Sequence, residues 1–581
     1  MLTAIYACSF ISHAQNGHVE MIMKILGTEN PESVDPDEAE RLYGLLERPL
    51  RLNSASRSKI SSAGILTGYQ TASLLDYRNR HGDIMSLYEL SLIDGFNSSV
   101  VETIAPFISL EGGRLGDTGN RNVENDLAVK GGLKLSGYEA ESDYAVKYKT
   151  DIGGVASVGL ALFSSDNHQI HGLGASYVSV YLRRLSAKMI AGDFNARFGQ
   201  GLALWNGMTM SGLTSTGAFY RKASGLSTSW SYTGSSSLTG LAAEIDCGRL
   251  TFAPFLALPG IKTYLSKSDI QPLLLGLNAL WRGRSMSLSC THYSEFSDIV
   301  TVNGTYITDM KTSLDAASCL KGTDIFAEVA YDWVNAALAA VISSIIPVSD
   351  SWRLALNLRY YPSGYNSSRS AAPRSGSKCS DEAGVSICMN HDKGTGGRHK
   401  LDISVDAATF PHRDTYVRNQ LKLYADWESR LFSTVLLKLR ASERLRNWGH
   451  FARTDVRADL SWTPSCFSFG GRVNYLRCVG NAFLGYLEAG YKQERWTLWC
   501  RSGIFVADNW DDRIYVYERD APGSFNVPAV YGRGVWLSVT GSWRFARWGR
   551  LYLRGSTTAY PFMIKKKPGK AELKLQSVFS F

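Results

Sequence analysis

Past its first few residues, the chain has no apolar run near the ~20 residues that a membrane-spanning helix needs. That excludes a helical membrane protein. Its nine cysteines include no Cys-x-x-Cys pair and no Cys/His cluster at zinc spacing, which argues against a structural metal. Cys379 and Cys388 lie close enough in sequence for a local disulfide in an oxidising compartment, with two unpaired thiols as the alternative. His-Glu-x-x-His, Gly-x-Ser-x-Gly and a phosphate-cradling Gly-rich loop are missing, and Gly199-Gln-Gly201 lacks the Lys-Ser/Thr of a P-loop. No catalytic residue, metal ligand or cofactor site is therefore read, and the chain is taken as non-enzymatic. A net charge of +9 over 581 residues is modest and spread out, so it does not by itself indicate a nucleic-acid partner.

Glycine and aromatic residues are abundant: 54 Gly, 14 Trp, 29 Tyr and 23 Phe, at a mean hydropathy of −0.12. Hydrophobicity carried on alternate residues averages out in this way. The last ten residues show the pattern: Leu573, Leu575, Phe579 and Phe581 point one way, and Glu572, Lys574, Gln576 and Ser580 the other. Period-two alternation is a β-strand with one apolar and one polar face. It recurs in Lys400–Asp406, where Leu401, Ile403 and Val405 oppose Lys400, Asp402, Ser404 and Asp406, and again in 420–427, 550–554, 157–162 and 353–359. Charges repeating on the second face suit a water-filled lumen and the apolar face suits lipid, so the region from Leu127 onward predicts a closed antiparallel barrel of roughly 24 to 26 strands. A soluble sandwich would face the same charges to solvent but would leave long unpaired edges.

Counting back from Phe581 places alternate connections on the outer side. Lys565–Pro568, Asp508–Arg533 and Glu443–Thr454 fall there, and Pro362–Ala383 joins them as a long outer loop if Val385–Met389 is itself a strand; His391–Arg398 is then a short inner turn. The carboxylates Asp508, Asp511, Asp512, Glu518 and Asp520 invite a hydrolase or calcium reading, but EF-hand spacing is absent and Arg513 and Arg519 stand among them, which favours an ion-pair lattice.

Ahead of the barrel the pattern is helical. Met1–Gln15 is short and apolar and ends in Ser12-His13-Ala14, fitting signal-peptidase cleavage between Ala14 and Gln15. Asp35, Pro36 and Glu38 read as a capping-box-like start for a short amphipathic helix with Leu42, Leu45 and Leu46 on one face. In 50–110, Leu52-Asn-Ser-Ala is followed by Leu74-Leu-Asp-Tyr-Arg78, by Ser86-Leu-Tyr-Glu-Leu with Ser86 as cap, and by Gly95-Phe-Asn and Pro106-Phe-Ile.

This order resembles the tandem helix-hairpin-helix module of ComEA-type competence DNA receptors. The resemblance implies hairpins whose backbone N–H groups, with the following helix N-terminus, hold a DNA phosphate. Candidate nucleic-acid contacts are Ile65, Leu66, Thr67 and Gly68 in the first hairpin and Gly95, Phe96, Asn97 and Ser98 in the second. Ile65-Leu66-Thr67 stands where the family has Gly-apolar-Gly, while the second hairpin keeps Gly95 and has Asn97, which tolerates the left-handed conformation. Arg51, Arg57, Lys59, Arg78 and Arg80 are matched by Asp76, Asp83, Glu89, Asp94 and Glu102, so the module has no basic face.

Together with 192–207, 360–365 and 508–533, the module resembles a Bacteroidota envelope family that joins a ComEA-type domain to an outer-membrane barrel. The domains expected are a signal peptide (1–14), a linker with the amphipathic helix (15–48), the tandem helix-hairpin-helix module (49–112), a linker (113–126) and the barrel (127–581). The first reading is capture of DNA, without sequence preference, at the envelope by a periplasmic module beside a pore in outer-membrane lipid. The alternative is a transport or structural barrel whose module is a plug or a dock for a periplasmic protein partner.

Overall fold

The computed structural model describes residues 21, 22, 25, 26, 36–96, 98–111 and 123–581, the last span except 154, 165–171, 208–211, 233–236, 259–271, 284, 297–306, 321, 367, 393–398, 413–417, 522–525 and 564–566. The cleavage site at Ala14 and Gln15 and the hairpin residue Asn97 lie outside the described residues.

Alternation does produce a closed antiparallel barrel. Twenty-five strands lie in the sheet; one of them, the four-residue Gly225–Thr228, shares an edge of Ala187–Arg197 with Leu238–Cys247, so the circuit has 24. It begins at Val123, four residues before the boundary expected at 127. The terminal strand Lys570–Ser580 closes the circuit by pairing with both Gly549–Ala559 and Val123–Ser136, Phe579 standing opposite Leu127. Closure leaves no unpaired edge to recruit another chain.

The apolar residues of each strand form the exterior: Leu575 is 47% exposed, whereas its neighbour Gln576 is buried inside. Where 183–186, 248–249, 433–434, 463–466, 493–495 and 547–548 make short turns, aromatic rings gather outside. Trp496 stacks on Trp543 at 5.1 Å between centroids, and Trp548 stacks on Phe579 at 6.0 Å. No helix among the described residues is long and apolar enough to cross a membrane.

The opposite end carries the long connections, and here the expectation needs correction. Val385–Met389 does lie in a strand, Glu382–Asp392. The connections 362–381 and 508–531 do leave the barrel at this long-loop end, as 198–224 does, but their described residues fold back into the lumen instead of projecting from it. Phe198, Leu202, Ala203, Leu204, Tyr365, Ala372 and Cys379 join the wall residues Tyr293, Ala330 and Tyr361 in one buried core. A circuit of this size encloses far more space than wall side chains can fill, so chain must enter it if the charged inner face is to be dry.

The amino-terminal helices sit at the short-turn end: α1 (Pro36–Glu47), α2 (Arg57–Ala63), α3 (Gly68–His81), α4 (Leu87–Leu90) and α5 (Ser98–Ile104). Their core is Leu42, Leu52, Ile60, Leu66, Leu74, Ile84, Leu90, Ile104 and Phe107. Ser56 caps α2 by accepting from the Lys59 amide, and Thr67 and Gln70 form a full capping box on α3. Asn53 caps nothing; its amide ties Ile84 and Leu110, joining the start of the module to its end.

Barrel closure is directly testable. Phe579 and Leu127 are register partners across a strand pair, an arrangement in which Cα atoms typically stand ~4.5–5.5 Å apart. Leu127→Cys with Phe579→Cys should give a cross-linked peptide on mild oxidation, read by mass spectrometry. Leu127→Cys with Val578→Cys, on opposite faces, should not.

Candidate functional site: the filled lumen

Three carboxylates of the wall hold the infolded chain. Glu328, in Thr323–Asp332, accepts the amide N–H of Gln200 at 2.7 Å, Leu202 at 2.9 Å and Ala203 at 3.2 Å. Successive amides around a left-handed turn make an anion cradle. Gly199 (φ 58°) and Gly201 (φ 83°) supply that turn, and a Cβ on Gly199 would come within 2.8 Å of the Glu328 carboxylate. The Gly199-Gln-Gly201 sequence thus does build an anion nest, and the anion in it is the protein's own.

Glu382 is the second. It pairs with buried Arg359 at 2.6 Å and accepts the amides of Ser375 and Gly376 at 2.7 and 2.8 Å; Arg359 also reaches Asp406 at 2.7 Å. Glu488 is the third, held between Arg501 (2.5 Å) and Arg519 (2.7 Å), with the Arg519 guanidinium 3.6 Å over the Trp499 ring. Arg519 belongs to 508–531, the block read as an ion-pair lattice, and the rest of that block is engaged likewise. Asp508 pairs with Arg533 at 2.7 Å, Glu518 with Arg554, and Asp520 with Lys574 at 2.8 Å. Asp512 accepts the amides of Val479 and Gly480 at 2.9 Å; burial pushes its carboxyl up, but these bonds and Asn509 outweigh it and hold it below its ordinary range. Asp511 remains exposed. Among the described residues, no group of three or more His, Cys, Asp or Glu could hold a metal, and Cys379 and Cys388 are not joined in a disulfide.

The infolded segments are stitched to each other. The Tyr365 hydroxyl donates to the Leu202 carbonyl at 2.9 Å, the Trp205 amide to Arg369 at 2.9 Å, and the Ala371 amide to Gly201 at 2.7 Å.

The wall itself is stitched to the helical module. Arg57 on α2 is 5% exposed and pairs with two carboxylates of Leu238–Cys247, Glu244 at 2.5 Å and Asp246. Glu38 lies against Arg197, with Arg41 3.5 Å away; Asp35, its expected capping-box partner, is outside the described residues. Burial pushes the Glu38 carboxyl up; Arg197, Arg41 and Arg221 more than reverse this and keep it below its ordinary range. Lys59 reaches Glu124 at 2.8 Å, Arg353 reaches Glu102 at 2.9 Å, and the Tyr69 hydroxyl donates to the Gly283 carbonyl at 3.2 Å.

The hairpin residues sit within this docking. Ile65 and Leu66 are buried in the module core. Thr67 caps α3, and the Gly68 amide donates to the carbonyl of Ala223 in the infolded loop at 3.0 Å. In the second hairpin Gly95 is left-handed (φ 85°), and a Cβ there would lie 2.5 Å from the Tyr69 ring. Its carbonyl accepts from the Gln70 side chain at 2.9 Å, which ties the turn at Gly95 to α3. Phe96 is buried and its amide donates to Ile93 at 2.9 Å, while Ser98 opens α5. Glu328, Glu382 and Glu488 do not stand out in the sequence, and Arg57 enters there only in the charge balance of the module. Their one trace there is a charge at an alternate strand position or on a helix face.

No protein-family model and no curated protein matches this chain. Among solved structures it is similar to the translocation pore of the P pilus usher PapC (10% identity, 79% of this chain and 99% of that one, TM-score 0.39). It is also similar to the copper transporter OprC (9%, 78% and 80%, TM-score 0.40) and to OccK3 (OpdO) of Pseudomonas aeruginosa (10%, 79% and 96%, TM-score 0.32). At these values the likeness carries no function across, and the barrel rests on its own pairing register.

Glu328→Ala should unseat 198–224. Each buried amide left without an acceptor costs about 1–3 kcal/mol. Trypsin should then cut faster at Arg221 or Lys222, both half-buried in the native protein, while the barrel stays folded; Glu328→Gln should give an intermediate rate.

Proposed function

We propose that the chain is an outer-membrane barrel of a Gram-negative bacterium, with a filled lumen and a helical module that acts as a plug in the periplasmic mouth. Its role is non-enzymatic transport. The apolar exterior and the aromatic rings outside the short-turn end support membrane residence, since such rings favour the bilayer interface. Short turns in the periplasm and long connections at the outer end set the orientation.

The observation that carries the plug reading is the burial of Arg57 between Glu244 and Asp246, beside the Gly68–Ala223 hydrogen bond. A buried ion pair of this kind anchors because breaking it strands a charge. It also bears on the DNA reading. A phosphate at the first hairpin needs the amides opening α3, and in the docked module the Gly68 amide is occupied by a barrel carbonyl. The resemblance to ComEA-type modules enters this proposal as a fold used for docking, and its phosphate-binding edge is turned toward the barrel.

Arg57→Met takes the buried Glu244 off its arginine and leaves Asp246 with Arg282, 3.7 Å away, at a cost of up to about 3–5 kcal/mol. Hydrogen exchange over 57–81 should rise in the lipid-embedded full-length protein while exchange in the wall strands is unchanged. The wild-type chain should show no salt-dependent affinity for duplex DNA. Affinity falling steeply with salt, lost on Gly95→Leu, would reinstate DNA capture as the function.

A further inference from the structure

A cavity lies between the docked helical module and the infolded loop 198–224, and the charges around it do not balance. Its volume is about 50 Å³, several times the ~10–15 Å³ that a single water needs. Three parts of the molecule supply its cations. Arg41 comes from α1, Arg197 ends the wall strand Ala187–Arg197, and Arg221 and Lys222 belong to the loop. Against these four, the described lining holds one carboxylate, Glu38. At Arg359 the ratio is the reverse, one arginine facing both Glu382 and Asp406.

The cations are held in place by bonds that do not neutralise them all. Arg41 and Arg197 share Glu38. The Arg197 Nε donates to the Asn206 carbonyl at 3.1 Å, the Arg221 Nε to the Ala371 carbonyl at 3.0 Å, and the Lys222 Nζ to the Ile25 carbonyl at 3.3 Å. A neutral carbonyl orients a cation without cancelling its charge. Desolvation pushes the Lys222 ammonium down to about 7 and, with Arg374 adding to it, the Arg221 guanidinium down to about 10. An anion beside them would favour the charged forms of both.

The lining also carries a donor without an acceptor. Trp205 is 8% exposed, with the Arg197 guanidinium 5.7 Å over its ring, and its indole N–H is buried with no hydrogen-bond partner among the described residues. A buried donor left unmade is costly, and an acceptor in the cavity would relieve it. Glycines keep room for the guanidinium groups: a Cβ on Gly64 would overlap Arg41, and one on Gly207 would lie 2.6 Å from Arg197. Arg221 and Lys222 are half-buried, so a solute can reach them.

We propose that this cavity binds one small tetrahedral oxyanion, phosphate or sulfate, and that the bound anion locks the module to the barrel. Guanidinium and ammonium groups give such an ion short, charge-assisted bonds, and the indole N–H adds a neutral one. Because Arg41 belongs to the module and Arg197, Arg221 and Lys222 to the barrel, the site is complete only when the two are docked. An anion that binds the docked state alone stabilises docking by mass action. The inference rests on the plug reading of the module.

The test uses the full-length protein in lipid nanodiscs, with sodium sulfate and sodium phosphate as probes and sodium chloride at equal ionic strength as the reference. Calorimetry should show one saturable site for each oxyanion. At ten times the dissociation constant, amide exchange over α1 should slow about tenfold relative to chloride, because the undocked population falls in that proportion. Lys222→Gln removes one charged donor and should weaken sulfate binding about tenfold, whereas Lys222→Arg should keep it. Trp205→Phe keeps a ring in place, removes the N–H, and should weaken binding severalfold. Oxyanions that bind no better than chloride overturn the proposal, as does an affinity unchanged in both Lys222→Gln and Trp205→Phe. A module protected from exchange yet indifferent to sulfate overturns the lock alone. A module that exchanges as fast as free peptide, with or without anion, overturns the plug reading and the lock together.

Discussion

Closing 24 strands into one sheet encloses a volume that the wall cannot fill, and the rest of the molecule answers to that fact. In a small barrel the inward side chains meet at the axis; in one this wide they do not. The charged inner face must therefore stay wet or be covered by other chain. In this protein three loops from the long-loop end and a helical module at the short-turn end cover it.

The covered inner face is held by pairing buried charges. Burying a carboxylate costs several kcal/mol unless hydrogen bonds or an opposite charge offset it. Glu328 is offset by three amides, Glu382 by Arg359 and two amides, and Glu488 by two arginines. Each of these pairs a wall residue with infolded chain, so the groups that make the lumen dry also hold the loops in place. Arg57 and Glu38 extend the same logic to the helical module. Loss of one member leaves the other stranded, which makes the filling a cooperative unit.

Much of the wall is legible in the sequence because a two-residue period is local. Leu573 and Leu575 against Lys574 and Gln576 already define inside and outside, and Val385–Met389 is recognisable as a strand by the same rule. The direction of the long loops is not local. Arg519 meets Glu488 and Arg554 meets Glu518 across tens of residues, and a charge in a loop reads alike whether it faces water or a buried partner. For the same reason Glu38 suggests a capping box and is found on Arg197, a residue far along the chain. The module's helices are visible in the sequence through the Ser86 cap and their apolar spacing, whereas the caps at Ser56 and Thr67 emerge only in the structure. What that module faces is not visible there, because the Gly68 amide is taken by a backbone carbonyl, which leaves no mark in side-chain identity.

The central claim is that 198–206 is anchored inside the barrel by the protein's own carboxylate. Amide hydrogen exchange of Gln200, Leu202 and Ala203, in the lipid-embedded full-length protein, tests it most directly. The account predicts protection comparable to that of the wall strand Thr323–Asp332, because all three amides are bonded to a buried acceptor. Exchange at the rate of a solvent-exposed loop would contradict it and would mean an open lumen.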